Sequence, residues 1–148
     1  MNTVEPRSAS ILVRPTVDTP FHIDYEWWDR ADRGLDVYIR SHLCPEHQQA
    51  YSDVSEDTLV DAVDLVTAEV KRVPAIQNIM TTHCARQPGY LTPQMSLINA
   101  VFRVFLASGN TPMSPTELGQ KLGRPAPMIL RTLSGPRVYK GIRPIRPD

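Results

Sequence analysis

The strongest hydrophobic pattern of the chain lies between Thr92 and Gly109. Apolar side chains recur there with the period of an α-helix and cover nearly half of its predicted surface. Thr92 and the proline after it form a typical helix start, and Gly109 with Asn110 forms a typical stop. We therefore predict a central core helix with the apolar side chains Leu97, Ile98, Val101, Phe102, Phe105 and Leu106.

Two shorter helices are predicted in the last third of the chain. Ser114 and Glu117 are spaced as a capping box, in which each side chain accepts the backbone N–H of the other residue. Leu118 and Leu122 then lie on one face, and Gly123 allows the left-handed conformation that ends a helix. A second helix follows a proline-rich turn and carries the apolar residues Met128, Ile129, Leu130 and Leu133.

A short strand is predicted after these two helices. The segment Val138–Pro144 alternates apolar with cationic side chains around Gly141. Such alternation is typical of a strand or of a β-wing. Helix, tight turn, helix and strand therefore follow one another along the chain.

This order of elements resembles the winged helix-turn-helix. The matching parts are Ser114–Leu122 as the first motif helix, Gly123 as the turn, Pro127–Leu133 as the recognition helix and Arg137–Arg143 as the wing. The preceding helix, which ends in Ala107–Pro112, is similar to that of the HARE-HTH modules of transcription-associated proteins. The resemblance covers about a third of the chain. It departs from the family pattern at Gly119, where alanine often packs, and at Arg124, where an apolar residue is usual.

The pattern of the N-terminal part changes twice. Ile11–Val17 predicts a short edge strand, and the alternation of Phe21–Trp27 predicts an extended segment. From about Trp28 the spacing becomes helical and predicts a helix to about Leu43. We expect the adjacent Trp27 and Trp28 to belong to the core rather than to a binding site.

The valine-rich stretch Leu59–Val73 has two interpretations. Its apolar side chains recur at four-three spacing, which predicts a helix that runs to Val73. Since β-branched residues favour strands, a β-hairpin is the alternative. Pro74 then starts a short helix over Ala75–Cys84.

Together these patterns predict a mainly α fold of short helices, with a C-terminal winged helix-turn-helix and a minor β component. The 14 prolines favour short helices because proline starts a helix but breaks its interior. We expect a flexible N-terminal arm or edge strand over residues 1–20, an acidic helical lobe over 21–92 and a basic winged lobe over 93–148.

The sequence also limits the class of protein. It contains no apolar run of the roughly 18 to 20 residues that span a membrane, and Met1–Ser10 lacks the order of a signal peptide. We therefore expect a cytoplasmic protein without a membrane partner. The sequence also lacks phosphate-binding glycine loops, nucleophile elbows and zinc-protease motifs, so we expect no enzyme activity.

Two short Cys and His clusters predict a metal site. Cys44 and His47 have the spacing Cys-x-x-His, His42 lies just before them, and His83 and Cys84 are adjacent. Two thiolates and two imidazoles suit structural zinc. Neighbouring residues of a helix, however, point about 100° apart, and cysteines are often simply buried. Zinc held by the four residues other than His42 is one hypothesis, and buried thiols without a metal are the other.

The formal net charge is zero, but the charges are unevenly distributed. Residues 111–148 contain seven basic and two acidic side chains, whereas residues 1–110 contain nine and fourteen. A basic end indicates a polyanionic or acidic partner. On duplex DNA, Arg131 would read a base, with Met128 and Thr132 beside it. The expected phosphate contacts are Lys121, Arg124, Arg137, Lys140, Arg143 and Arg146.

We therefore expect a small DNA-binding or transcription-associated protein that uses its C-terminal winged helix-turn-helix. The second motif helix is largely apolar, however, and leaves few polar groups for a groove. The proline-rich tail Arg143–Pro147 is also suited to docking because it is extended before it binds. The alternative is a protein–protein adaptor or oligomerisation module that does not bind nucleic acid.

Overall fold

The computed structural model describes residues 14–31, 34–55 and 57–145. The fold is mainly helical, with 44% helix and 13% strand, which confirms the predicted class at that level. In chain order the elements are β1 (Phe21–Ile23), α1 (Tyr25–Ala31), α2 (Leu35–Arg40), α3 (Pro45–Ala50), β2 (Leu59–Val63), β3 (Val70–Pro74), α4 (Ala75–Thr82), a 3-10 helix (Cys84–Arg86), α5 (Leu97–Ala107), α6 (Pro115–Leu122), α7 (Ala126–Leu133) and β4 (Ile142–Pro144).

The chain groups into two compact units. The central unit is Tyr25–Asn110, and the terminal unit combines Met1–Asp24 with Thr111–Asp148. The helix predicted to lead the winged region, α5, belongs to the central unit. The predicted division into arm, acidic lobe and basic lobe stays a prediction.

In the central unit, α5 is the apolar helix that the sequence predicts, but it starts at Leu97 rather than directly after Thr92. It begins after Ser96, whose hydroxyl oxygen accepts the N–H of Asn99 at 3.3 Å. The rings of Trp28 and Tyr38 pack against Phe102, with centroids 6.2 and 4.9 Å away. Trp28 is buried, as predicted for the core, whereas Trp27 is only half-buried. The buried residues of α5 are Ala100, Val101, Phe102, Val104, Phe105 and Leu106.

The helix predicted from about Trp28 to Leu43 is wrong in its bounds. The chain forms two helices there, because α1 ends at Ala31 and α2 occupies only Leu35–Arg40. Gly34 before α2 has φ of 65°, a left-handed conformation that glycine adopts without strain but that interrupts a helix. The extended segment is correspondingly short, since only Phe21–Ile23 forms a strand.

The helix predicted over Leu59–Val73 is also wrong, and the alternative hairpin is confirmed. Strands β2 and β3 pair antiparallel from Leu59↔Pro74 to Val63↔Val70. Asp64 closes the turn, because its Oδ1 accepts the N–H groups of Val66 at 2.8 Å and Thr67 at 3.2 Å. These bonds lower the pKa of the Asp64 carboxyl. The turn and the β-branched side chains together outweigh the helical spacing.

The predicted pair of motif helices is present in the terminal unit. The capping box is confirmed: Glu117 N–H donates to Ser114 Oγ at 3.2 Å, and Ser114 N–H donates to Glu117 Oε1 at 2.9 Å. Gly123 ends α6 with φ of 67°. Leu118 is fully buried, but Leu122 is only half-buried, which corrects its expected core position. The other apolar core residues of these helices are Ile129 and Leu133.

The strands of the terminal unit differ from the predicted wing. Of the predicted strand Val138–Pro144, only Ile142–Pro144 is a strand. It pairs antiparallel with β1 in the register Ile23↔Ile142. Phe21 also bridges Met113, with N–H to carbonyl distances of 2.8 and 3.0 Å. Of the predicted edge strand Ile11–Val17, the first three residues lie outside the described residues, and the rest forms no strand. Membership of the winged helix-turn-helix group stays a prediction.

Candidate metal centre

The four predicted zinc ligands lie in or directly beside three short helices of the central unit. Cys44 is the N-cap of α3, and His47 lies in the first turn of that helix. His83 is the C-cap of α4, and Cys84 begins the 3-10 helix that follows. The two clusters are about forty residues apart in sequence, yet the fold places them together.

Three measured distances define the centre. Cys44 Sγ lies 3.1 Å from His47 Nδ1 and 3.5 Å from Cys84 Sγ. Cys84 Sγ lies 3.7 Å from the same His47 nitrogen. One ligand atom each from Cys44, His47 and His83 lie within 4.8 Å of one another. The rings of His47 and His83 meet edge to face, with centroids 4.4 Å apart. Cys44, His47 and His83 therefore form one cluster of ligand atoms, and Cys84 Sγ lies beside the Cys44 and His47 atoms of that cluster.

These distances are close to those of a tetrahedral zinc site. Zn–S bonds of about 2.3 Å and Zn–N bonds of about 2.0 Å at tetrahedral angles separate two sulfurs by about 3.8 Å and a sulfur from a nitrogen by about 3.5 Å. The observed sulfur–sulfur distance is 3.5 Å, and the sulfur–nitrogen distances are 3.1 and 3.7 Å. Three of the six ligand–ligand distances of such a site, those among Cys44, His47 and Cys84, are therefore close to the tetrahedral values.

The backbone at His83 changes the premise of the objection that adjacent residues cannot easily bind one metal. That objection assumes a continuous helix, whereas α4 ends at Thr82 and His83 has φ −131° and ψ −61°. This conformation lies outside the helical region. The chain therefore turns between His83 and Cys84, and their side chains are not held at the helical angle of about 100°.

Burial sets the electrostatics of the centre. Cys84 is buried and Cys44 is half-buried, and both are free thiols. Burial raises the pKa of the Cys84 thiol to about 11, because the thiolate loses its hydration. A bound divalent cation reverses this preference, since a coordinating thiol is deprotonated. Without a cation, the pocket holds Cys84 as a neutral thiol.

Two polar side chains lie beside the imidazoles, and neither was predicted from the sequence. His47 Nε2, on the side of the ring away from the sulfurs, lies 3.9 Å from the Glu46 carboxylate. Gln87 Nε2 lies 3.3 Å from His83 Nε2 and donates to the His83 carbonyl oxygen at 3.2 Å. Metal-binding histidines commonly have such polar partners on their other nitrogen. The position of Gln87, four residues after His83, is the sequence signal that could have predicted this contact.

His42 takes no part in the centre. Its Nδ1 accepts a hydrogen bond from Arg103 Nε at 2.9 Å, and its ring packs edge to face against Tyr38 with centroids 4.7 Å apart. Arg103 also donates to the Tyr90 carbonyl oxygen at 2.7 Å. His42 thus belongs to a buried polar network beside α5.

The predicted nucleic-acid contacts on α6 and α7 remain accessible. Lys121, Met128 and Arg131 are exposed, whereas Arg124 and Thr132 are half-buried. The Thr132 hydroxyl donates to the Met128 carbonyl oxygen of its own helix at 3.1 Å. Only part of the predicted reading surface is therefore polar and free to face a partner.

The predicted wing contacts differ among themselves. Arg137 is exposed and its guanidinium carbon lies 5.3 Å from the centre of the Tyr139 ring. Lys140 is exposed and has φ of 53°. Arg143 forms an ion pair with Asp24 at 3.3 Å, so its charge is already partly neutralised. Arg146 lies outside the described residues.

Comparison with known proteins adds no further constraint. Neither a family model, nor a curated protein, nor a solved structure matches this chain. Among the helices that the structure describes, none has the length and apolar content needed to cross a membrane.

Proposed function

We propose that the chain is a zinc-binding protein in which Cys44, His47, His83 and Cys84 hold one Zn²⁺ in a structural site. The observation that supports this is the set of ligand separations, 3.1, 3.5 and 3.7 Å, which are close to the edges of a zinc tetrahedron. The ligand chemistry is consistent with it. Two sulfurs with two imidazoles favour zinc over the hard, oxygen-binding ions.

A structural role follows from the number of ligands. Four protein side chains fill a tetrahedral zinc site and leave no position for water or substrate. The bound ion would join the start of α3 to the end of α4, across the whole β2–β3 hairpin. Because the unfolded chain has no preformed site, the binding free energy would stabilise the folded central unit.

Metal analysis tests this proposal. Protein purified without chelators should contain about one zinc per chain, and chelation should lower its melting temperature. His83→Asn should lose most of the bound zinc. His22→Asn is the matched control, because it changes a histidine of β1 in the terminal unit and should keep the metal. Protein that contains no zinc and is not stabilised by added zinc would contradict the proposal.

Duplex DNA binding by the terminal unit is the second proposed function. It is favoured by the exposed cationic side chains on and after the helix-turn-helix: Lys121, Arg131, Arg137 and Lys140. Phosphate neutralisation supplies most of the affinity in such complexes. Met128 and Arg131 on the exposed side of α7 would face the groove. A transcription-associated role would follow from this binding.

Salt-titrated fluorescence anisotropy on a mixed-sequence duplex tests the second function. Four phosphate contacts give a slope of about 3.6 in log affinity against log salt. Arg131→Ala should weaken binding, whereas Arg72→Ala in β3 of the central unit should leave it unchanged. If no association occurs at low salt and micromolar protein, the exposed Met128 and the basic side chains support the adaptor alternative instead.

A further inference from the structure

A cavity within the central unit carries an inference independent of the metal. It has a volume of about 450 Å³ and is lined by residues of α1, α2, α4 and the end of α5. This size lies within the range of about 300 to 1,000 Å³ that is usual for small-molecule sites. Its apolar lining includes Trp28, Leu35, Ile39, Ile76, Met80 and Leu106. The cavity therefore suits a ligand with an apolar body.

The charges around this cavity have one sign. Among the described lining residues, the charged side chains are Asp29 on α1 and Asp36 on α2. Neither carboxylate forms an ion pair with a residue that the structure describes. Gln77 and Asn110 add neutral amides to the lining. A cationic group would offset the two carboxylates, whereas an anion would be repelled by both.

The C-terminal end of α5 also favours a cationic ligand in the cavity. Gly109 and Asn110, which directly follow this 11-residue helix, line the cavity. The C-terminal end of a helix carries partial negative charge and favours a cation. The last turn of α5 contains no basic residue that would compensate this charge. The helix end and the two carboxylates thus act in the same direction.

An exposed aromatic ring completes the lining. Tyr25 at the start of α1 lines the cavity and is 43% exposed. Its ring is available to a ligand, and the faces of aromatic rings attract cations. Trp28 lies one turn further along α1 and is buried, so it contributes apolar surface to the floor.

We infer that this cavity binds a small organic cation, with an apolar body against Trp28, Leu35 and Met80 and an ammonium head near Asp29 and Asp36. The inference does not depend on the metal centre or on nucleic-acid binding. None of the four metal ligands lines the cavity, and the cavity residues all belong to the central unit.

Three probes of nearly equal shape test the inference in the full-length chain as purified. They are 2-naphthylmethylammonium, the neutral 2-naphthylmethanol and the anionic 2-naphthoate, each followed by two-dimensional NMR of the backbone amides. The ammonium probe should shift the amides of Gln77, Gly109 and Asn110 with saturation. The neutral probe should bind about tenfold more weakly, since two partly exposed charge contacts are lost, and the anion more weakly still.

Charge-matched variants separate the cavity from the overall charge of the protein. Asp29→Asn with Asp36→Asn should remove the preference for the ammonium probe over the alcohol. The control is Asp53→Asn with Asp57→Asn, which removes two exposed carboxylates outside the lining and should keep that preference. Gln77→Trp should weaken binding of both probes, because a larger side chain at this exposed lining position would fill part of the cavity.

Three results would overturn the inference. They are equal binding of the ammonium and alcohol probes, an unchanged preference in the variant lacking Asp29 and Asp36, and absence of saturable shifts at millimolar probe. Amide spectra of each variant without a probe establish that it is folded.

Discussion

The metal centre and the outer face of α7 use polar side chains in opposite ways. In the centre, side chains from two segments about forty residues apart point inward and approach to between 3.1 and 3.7 Å. On α7, Arg131 and Met128 point outward, and the groups that would meet them belong to another molecule. Converging ligands define an ion by number, element and distance. Exposed cations define only the sign of their partner's charge.

Removing a metal ligand should change the stability of the protein more than any other substitution considered below. Cys84→Ser should abolish tight zinc binding and destabilise the central unit. At a zinc concentration a thousandfold above the dissociation constant, the bound ion contributes about 4 kcal/mol to the free energy of unfolding. Thermal denaturation with and without zinc measures this contribution.

Arg131→Ala is the matched comparison for that experiment because it changes the outer face of α7. It should leave the zinc-dependent part of the melting temperature unchanged. If Cys84→Ser and wild type respond equally to zinc, the centre does not stabilise the fold through a metal.

Core truncation in the terminal unit should have the next largest effect. Leu118 is fully buried, so Leu118→Ala should lower the free energy of unfolding by about 2 to 5 kcal/mol. Leu122 is half-buried, and Leu122→Ala should cost less. Urea denaturation compares the two variants, and zinc content should stay the same in both. Equal losses would contradict the difference in burial.

A smaller effect is expected where the turn between α6 and α7 approaches α6. A Cβ atom on Gly119 would lie 2.6 Å from the Arg124 carbonyl oxygen, so Gly119→Ala must displace the turn. We expect a loss of about 1 to 3 kcal/mol. Gly135→Ala is the control, because its Cβ would meet nothing closer than 3.9 Å. Similar urea midpoints for the two variants would show that the turn can move away from a side chain at position 119 without loss of stability.

The smallest expected effect concerns single phosphate contacts. Lys121→Ala should reduce the slope of log affinity for duplex DNA against log salt by about one. Arg143→Ala should change the slope less, since Arg143 is paired with Asp24 in the free protein. Fluorescence anisotropy over a range of salt concentrations provides both slopes. A larger change for Arg143 would indicate that its ion pair opens on binding.

Signals close together in sequence were the ones that predicted the fold correctly. The capping box at Ser114 and Glu117 and the left-handed Gly123 need only their own turn, and both are present as predicted. The hairpin was only the alternative interpretation because the valine spacing also satisfied a helix, while the deciding side-chain bonds come from Asp64 in the turn. The partner of β4 could not be predicted, since Phe21–Ile23 lies at the other end of the chain.

The candidate metal site was predictable in part. The residues Cys44, His47, His83 and Cys84 follow from ligand type alone. The geometric argument against His83 and Cys84 sharing one ion assumed a continuous helix, whereas the chain leaves the helix at His83. Of these two residues, only His83 belongs to the group whose ligand atoms all lie within 4.8 Å of one another. The cavity of the central unit gave no sequence signal, because Asp29 and Asp36 resemble solvated surface charges until the fold places them in one lining.

Optical titration of the metal-free protein with Co²⁺ tests the zinc proposal most directly. Co²⁺ occupies zinc sites, and the absorption spectrum of the bound ion reports its coordination geometry and whether its ligands include sulfur. We predict saturation at about one Co²⁺ per chain, with the intense visible bands of tetrahedral cobalt and a thiolate-to-cobalt charge-transfer band in the near ultraviolet. Added zinc should abolish both. Weak octahedral bands without the charge-transfer band, or no saturable absorption, would contradict a site built from Cys44, His47, His83 and Cys84.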